Sequence, residues 1–166
     1  MVPIVSSVAQ AKAVLDAAKY WPDGTRGMAL GLAHERYARR SESLVTRLAE
    51  QNARTAISLQ IEDPKGAAAA GEIAAMPGVD MLWLGHNDLS GALGKPGAFD
   101  DPDFIKAEQA TISAAKKHKK SAGRLAVDAA QAAQFVRMGY DFVAIAGDVW
   151  LLQQAFAAGV ATIRGA

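Results

Sequence analysis

Two acidic residues stand where apolar runs stop: Glu62 ends Leu59-Gln60-Ile61-Glu62, and Asp88 ends Leu84-Gly85-His86-Asn87-Asp88. Side chains alternate along an extended strand, so Gln60 and Glu62 share a face opposite Ile61. Two polar residues ending an otherwise apolar strand cost free energy unless they bind something. A pair of carboxylates with open positions suits a hard divalent cation, Mg²⁺ or Mn²⁺, completed by water and substrate oxygens. The same acids can instead cap the helices that follow them. Asp148, after Ala146-Gly147, reads as such a cap or as a salt-bridge partner. His86 can ligate, move protons or orient its loop by hydrogen bonding, and His34 is equally open. Lys65 follows Pro64 in a turn instead of standing in an apolar strand, which argues against a Schiff-base role. Trp83 and Trp150 lie in apolar runs and read as core.

What must position these residues is an alternation of short apolar runs and longer Ala-rich stretches. Val2 to Val5 is a short apolar run. Ser7 to Lys19 has helical spacing, with Ser6 or Ser7 as N-cap. Trp21-Pro22-Asp23-Gly24 is a turn, and Glu42 to Asn52 a second helix. Thr55 to Ile61 and Met81 to Gly85 are buried strands separated by a helix over Ala67 to Ala75. A Gly- and Pro-rich loop is expected from His86 to Pro102. Helix Asp103 to Lys120, strand Gly123 to Val127, helix Ala129 to Met138 with Gly139 as C-cap, strand Phe142 to Ala146 and helix Val149 to Ala158 complete the order. Continuous apolar strands separated by helices predict a parallel sheet covered by helices. No glycine-rich phosphate-binding turn follows any of the strands, which argues against a dinucleotide-binding sheet or a P-loop. In parallel α/β folds the active site lies at the C-terminal ends of the strands, where Glu62 and Asp88 stand.

Composition narrows the function classes. The 166 residues are 51% hydrophobic and 21% charged, with a formal net charge of +1. One globular domain is expected from that length. A near-neutral balance gives no electrostatic case for nucleic acid. The basic run Lys116-Lys117-His118-Lys119-Lys120 ends a helix, where it complements the helix dipole. The chain has no cysteine, which excludes disulfides and thiolate chemistry. No signal-peptide pattern and no run long enough to span a bilayer is visible, so no membrane partner and a cytoplasmic location are expected.

Three segments together resemble the HpcH/HpaI aldolase/citrate lyase family. They are Gln60-Ile61-Glu62, the run Pro77-Gly78-Val79-Asp80-Met81-Leu82-Trp83-Leu84-Gly85-His86-Asn87-Asp88-Leu89-Ser90, and Leu93-Gly94-Lys95-Pro96-Gly97. Val2-Pro3-Ile4-Val5 looks like that family's fourth strand, and Lys19 to Gly27 like the turn segment beyond it. The resemblance implies a TIM (β/α)8-barrel type of α/β fold, incomplete here, with about strands 4 to 8 and their helices in a single partial barrel domain. It implies that Glu62 and Asp88 bind a divalent metal, Mg²⁺ or Mn²⁺, with Co²⁺ or Zn²⁺ as alternatives. The reaction implied is cleavage of a 4-hydroxy-2-oxo acid to pyruvate and an aldehyde, with the metal stabilising an enolate. Gln60 matches a catalytic position, and Gln60, Gly85, His86, Asn87 and Asp88 match substrate-binding positions. Two other readings stand beside it: a citrate-lyase-like enzyme for CoA esters, and a non-catalytic chain that binds metal or oxo acid or only assembles with a partner.

The chain departs from the family in two places. His86 and Asn87 stand where many members have Pro and Ala, and Ala29-Leu30 where many have Gly-Ser. Barrels of this kind need about 250 residues. The resemblance therefore implies that the first three strands are missing, with the family's general-base histidine and ketone-polarising arginine, and that the chain turns over slowly if at all. It also implies a homo-oligomer, with the C-terminal helix packed on a neighbouring subunit.

Overall fold

The computed structural model describes residues 1–165. Its strands and helices form two compact units, Met1–Ala122 and Gly123–Ala166.

The first unit is built on two parallel strands, β1 (Ser58–Ile61) and β2 (Met81–Leu84), paired Ser58 to Met81 through Ile61 to Leu84. Val2 bridges to Leu59 in the same direction, on the side of β1 away from β2. The run Val2 to Val5, expected as a strand, is thus a single bridge: Ile4 adopts a left-handed φ of 55°, which takes the chain out of the extended region. Helix α1 (Val8–Ala18) follows, capped by the Ser7 side chain. A single 3₁₀ turn (Ala33–Glu35) and α2 (Leu44–Arg54, N-cap Ser43) precede β1. Helix α3 (Pro64–Ala75) starts with Pro64 just after its Asp63 cap, the position proline suits best.

β1 is shorter than its apolar run suggests. The Ile57 N–H turns to the Asp80 carboxylate at 2.7 Å, and this side-chain bond replaces a ladder bond. Between β1 and β2 the buried faces alternate as their residues require. Leu59, Ile61, Leu82 and Leu84 are fully buried, while Ser58 and Gln60 face the other way, half-buried. Trp83 is core, as its apolar context predicts.

The segment expected to be a loop from His86 to Pro102 contains a helix, α4 (His86–Ala92). Leu89 and Ser90, both buried, fasten it to the core. The Ser90 hydroxyl donates to the Asn87 carbonyl at 2.7 Å and accepts from the Gly97 N–H at 3.0 Å. Glycine- and proline-rich composition hid this helix, because its stability comes from burial and not from propensity. Helix α5 (Pro102–Lys117) is capped by Asp101 and ends in Lys116 and Lys117.

In the second unit, β3 (Ser121–Ala126), whose first two residues precede the unit boundary, runs parallel to β4 (Phe142–Ile145). Helix α6 (Ala129–Met138) lies between them in sequence, closed by Gly139 at φ 110°. The last helix, α7 (Asp148–Gly165), runs well past the expected end at Ala158 and buries none of its residues. Trp150, expected in the core, is 53% exposed and packs on Gly147 instead. The apolar run that suggested burial belongs to α7, none of whose described residues is buried. Among the described residues no helix is long and apolar enough to cross a membrane.

Candidate functional site

A cavity of about 430 Å³ opens at the C-terminal end of β1, lined by Gln60, Glu62 and Asp63 with Pro3, Ile4, Asp88 and Ala92. Three separated stretches of the first unit meet here, and the strand geometry explains how. Gln60 and Glu62 lie on one face because side chains alternate. Register sets Ile61 opposite Leu84, so Gly85 arrives next to Glu62, and its N–H donates to the Ile61 carbonyl at 3.0 Å. Helix α4 then begins at His86 and carries Asp88 in its first turn, where a carboxylate is favoured by the helix dipole.

Glu62 is buried and its two oxygens are held separately. Oε1 accepts from the Ile4 N–H at 2.7 Å, and Oε2 accepts from the Gln60 amide at 2.6 Å. The left-handed backbone of Ile4 aims that N–H; for a β-branched residue it costs about 1–2 kcal/mol. Gly85 closes the back of the site. A Cβ there would overlap Glu62 Oε2 and lie 2.7 Å from Glu62 Cβ and 2.9 Å from Gln60 Nε2. Glycine is therefore the residue that this approach of backbone to carboxylate admits.

Of the two neighbouring acids at the end of β1, Asp63 is the helix cap. Its Oδ1 accepts from the Gly66 N–H at 2.6 Å, and its Oδ2 accepts from the Ser6 hydroxyl. Glu62, one residue earlier, has no capping role and faces the cavity. The Asp88 carboxylate is exposed and, among the described residues, has no hydrogen-bond or ion-pair partner. No group of three His, Cys, Asp or Glu side chains among the described residues is placed to share an ion. Two carboxylates on one cavity nevertheless fit a hard divalent cation that takes its remaining ligands from water and substrate.

Each of the other expected residues has its own surroundings. Gly85 stands behind Glu62. The His86 ring turns to Phe99, edge to face with centroids 5.2 Å apart, and is not part of the cavity wall. Asn87 is exposed. His34 approaches the buried Tyr20 hydroxyl at 3.3 Å, Lys65 is exposed in the first turn of α3, and Asp148 Oδ1 accepts from the Val149 N–H at 2.8 Å. One contributor escaped sequence reasoning: the Ile4 N–H acts through its backbone, which residue type does not report. Gly85, expected among the substrate-binding positions, is placed behind Glu62, where it acts through the side chain it lacks.

The class of fold is a parallel α/β architecture of TIM-barrel type, present here as a partial barrel. A sequence model of the HpcH/HpaI aldolase/citrate lyase family matches residues 1–155, and the chain belongs to that family. It is 33% identical over 164 residues to a hydroxypyruvate/pyruvate aldolase of Delftia acidovorans, covering 99% of this chain and 60% of the relative. It is 33% identical over 155 residues to a 2-keto-3-deoxy-L-rhamnonate aldolase of Klebsiella pneumoniae, covering 93% and 57%. Among solved structures, an HpcH/HpaI aldolase from Desulfitobacterium hafniense superposes with a TM-score of 0.88 at 30% identity, covering 99% of this chain and 62% of that one. A family protein from Burkholderia cenocepacia gives 0.90 at 29%, covering 99% and 64%. The chain thus spans about three fifths of the length of the relatives it matches.

Proposed function

We propose that this chain carries the cation-binding side of a class II aldolase active site, which cleaves 4-hydroxy-2-oxo acids to pyruvate and an aldehyde. One observation carries the reading: Glu62 and Asp88 open onto one cavity, with the Glu62 carboxylate held by a backbone N–H and the Gln60 amide. Relatives named as aldolases of pyruvate-type and keto-deoxy sugar acids support the substrate class.

Glu62 and Asp88 would hold Mg²⁺ or Mn²⁺, with Co²⁺ or Zn²⁺ as alternatives. Bound there, the ion would supply Lewis-acid stabilisation of the negative charge that develops as the carbon–carbon bond breaks. The Ile4 N–H and Gln60 amide restrict Glu62 to one orientation, so its free lone pairs face the cavity without a rotamer search. Gln60 thereby positions Glu62, and its amide oxygen and second N–H remain for the substrate. The first hydrogen bond of α4 runs from the Leu89 N–H to the Gly85 carbonyl, which leaves the N–H groups of Asn87 and Asp88 directed outward, suited to the oxo acid's carboxylate. Among the described residues lining the cavity there is no His, Lys, Arg or Tyr. With Glu62 and Asp88 on the cation and Asp63 held by its cap bonds, the proton released from the substrate hydroxyl would pass to water or to a group outside this wall.

The test is calorimetric titration of Mn²⁺ into wild type and Glu62→Gln, with and without oxalate. Loss of one carboxylate should weaken binding by about tenfold or more, as expected for one charged ligand of a divalent site. Oxalate should tighten binding to the wild type only. Equal Mn²⁺ affinity in the two proteins would overturn the assignment.

A further inference from the structure

A second cavity, of about 600 Å³, shares no residue with the first and is walled by arginines. It lies between the segment that follows the 3₁₀ turn and the C-terminal half of α2, and Arg36, Arg40 and Arg54 line it with Glu35 and Glu50. Residues 35–54 contain five arginines and three glutamates, a balance of +2 in a chain whose total is +1. The positive charge of the whole protein is concentrated on this stretch, and the remainder is −1.

The two acids of the wall are already committed. Glu35, buried, accepts from Arg47 and from the Gly31 N–H. Glu50 accepts from Arg40 at 2.6 Å, and the same guanidinium donates twice to Glu42, at 2.8 and 3.2 Å. Arg40 is thus shared by two carboxylates and adds no free positive charge. Arg36 and Arg54 differ: among the described residues neither guanidinium has an ion-pair or hydrogen-bond partner. Arg36 is presented from a left-handed backbone, φ 56°, which turns it out of the 3₁₀ turn. Arg54 projects from the last turn of α2. The carbonyls at that helix end would disfavour an anion, but Lys19 Nζ donates to two of them, those of Asn52 and Thr55 at 2.6 and 2.5 Å.

Two unspent guanidiniums on one concave surface, backed by neutralised acids, make a receptor for a carboxylate or phosphate group, because each presents a planar fork of donors. We infer that this cavity binds a small anionic metabolite through Arg36 and Arg54, at a site separate from that of Glu62 and Asp88. At about 600 Å³ the cavity has room for a molecule of which the recognised group is one end. Arg40, fixed by its two acids, is scaffold for the site.

The experiment is titration of inorganic phosphate and, in a second arm, malonate, at low and at physiological ionic strength. The proteins are wild type, Glu62→Gln, the double variant Arg36→Ala/Arg54→Ala and its conservative counterpart Arg36→Lys/Arg54→Lys. Saturable binding is expected for at least one anion, weakened by salt, unchanged in Glu62→Gln and about tenfold weaker in the double alanine variant. The lysine variant, which keeps charge but not the fork, should fall between. Both arginines are exposed, so equal melting temperatures will show that loss of binding is not loss of fold. The arm that binds identifies the anion as phosphate or carboxylate. Absence of saturable binding in both arms, equal affinity in the double alanine variant, or loss in Glu62→Gln would each overturn the inference. None of these results bears on Mn²⁺ affinity, so the two sites are judged apart.

Discussion

Glu62 differs from an ordinary strand-end acid because its carboxylate is oriented before any ligand arrives. Gln60 and the Ile4 N–H hold it from two sides, and Gly85 leaves the space behind it. Gly85→Ala should therefore act on the site as much as on the fold. A methyl group overlapping Glu62 Oε2 forces the carboxylate or the strand to move, at a cost of about 1–3 kcal/mol for overpacking. We expect a lower melting temperature together with weaker Mn²⁺ binding, read by denaturation and calorimetry on the same sample. A variant that loses stability but keeps wild-type Mn²⁺ affinity would show that Glu62 needs no such alignment. At this scale the sequence was informative where chemistry resides in side chains. Alternation alone put Gln60 and Glu62 on one face. It could not tell which of Glu62 and Asp63 caps α3, since an acid at a strand end suits either position. Nor could it reveal that Arg36 and Arg54 line one cavity, because they stand 18 positions apart and only the fold brings them to the same wall.

Among the elements, the stretch from the 3₁₀ turn to α2 depends on charge. Arg40 holds the Glu42 carboxyl down to about 2 from its ordinary 4.5, and Arg47 holds Glu35 below the usual carboxylate range. Both acids have a lower pKa folded than unfolded, so the unfolded chain binds more protons in acid. Their contribution is complete above pH 4.5 and is lost as pH falls toward about 2. We expect this segment to loosen in that window, earlier than α3 or α5, as read by amide exchange at residues 42–54. Arg40→Ala should leave the segment looser already at neutral pH and flatten its further loosening in acid, because Glu42 then loses the cause of its lowered pKa. An unchanged profile would remove the ion pairs from the account. The order of helices and strands was legible from periodicity, and the strong apolar runs produced β2 and most of β1. The misses share a cause. Helix α4 is held by burial of Leu89 and by the Ser90 hydroxyl, and Val2 to Val5 is broken by the conformation of one residue. Both depend on what the segment meets, which a local pattern does not contain.

For the molecule as a whole, α7 is the feature that needs explanation. Val149, Trp150, Leu151, Leu152, Phe156, Val160 and Ile163 are all largely exposed on one helix, an apolar surface that a lone soluble chain rarely presents. We expect it to be covered by a second copy, so light scattering should report an assembly, and Leu152→Lys with Phe156→Lys should shift it toward monomer. A monodisperse wild-type monomer would refute this. The link between Ile4 and Glu62 has a further implication, because it joins residues 58 positions apart. Closing that loop costs chain entropy, so the doubly held carboxylate requires that residues 2–4 have settled against β1. Any ligand that requires the aligned form then favours those molecules by mass action. Occupancy of the cavity and docking of residues 2–4 on β1 then become a single equilibrium, which the ligand itself helps to close.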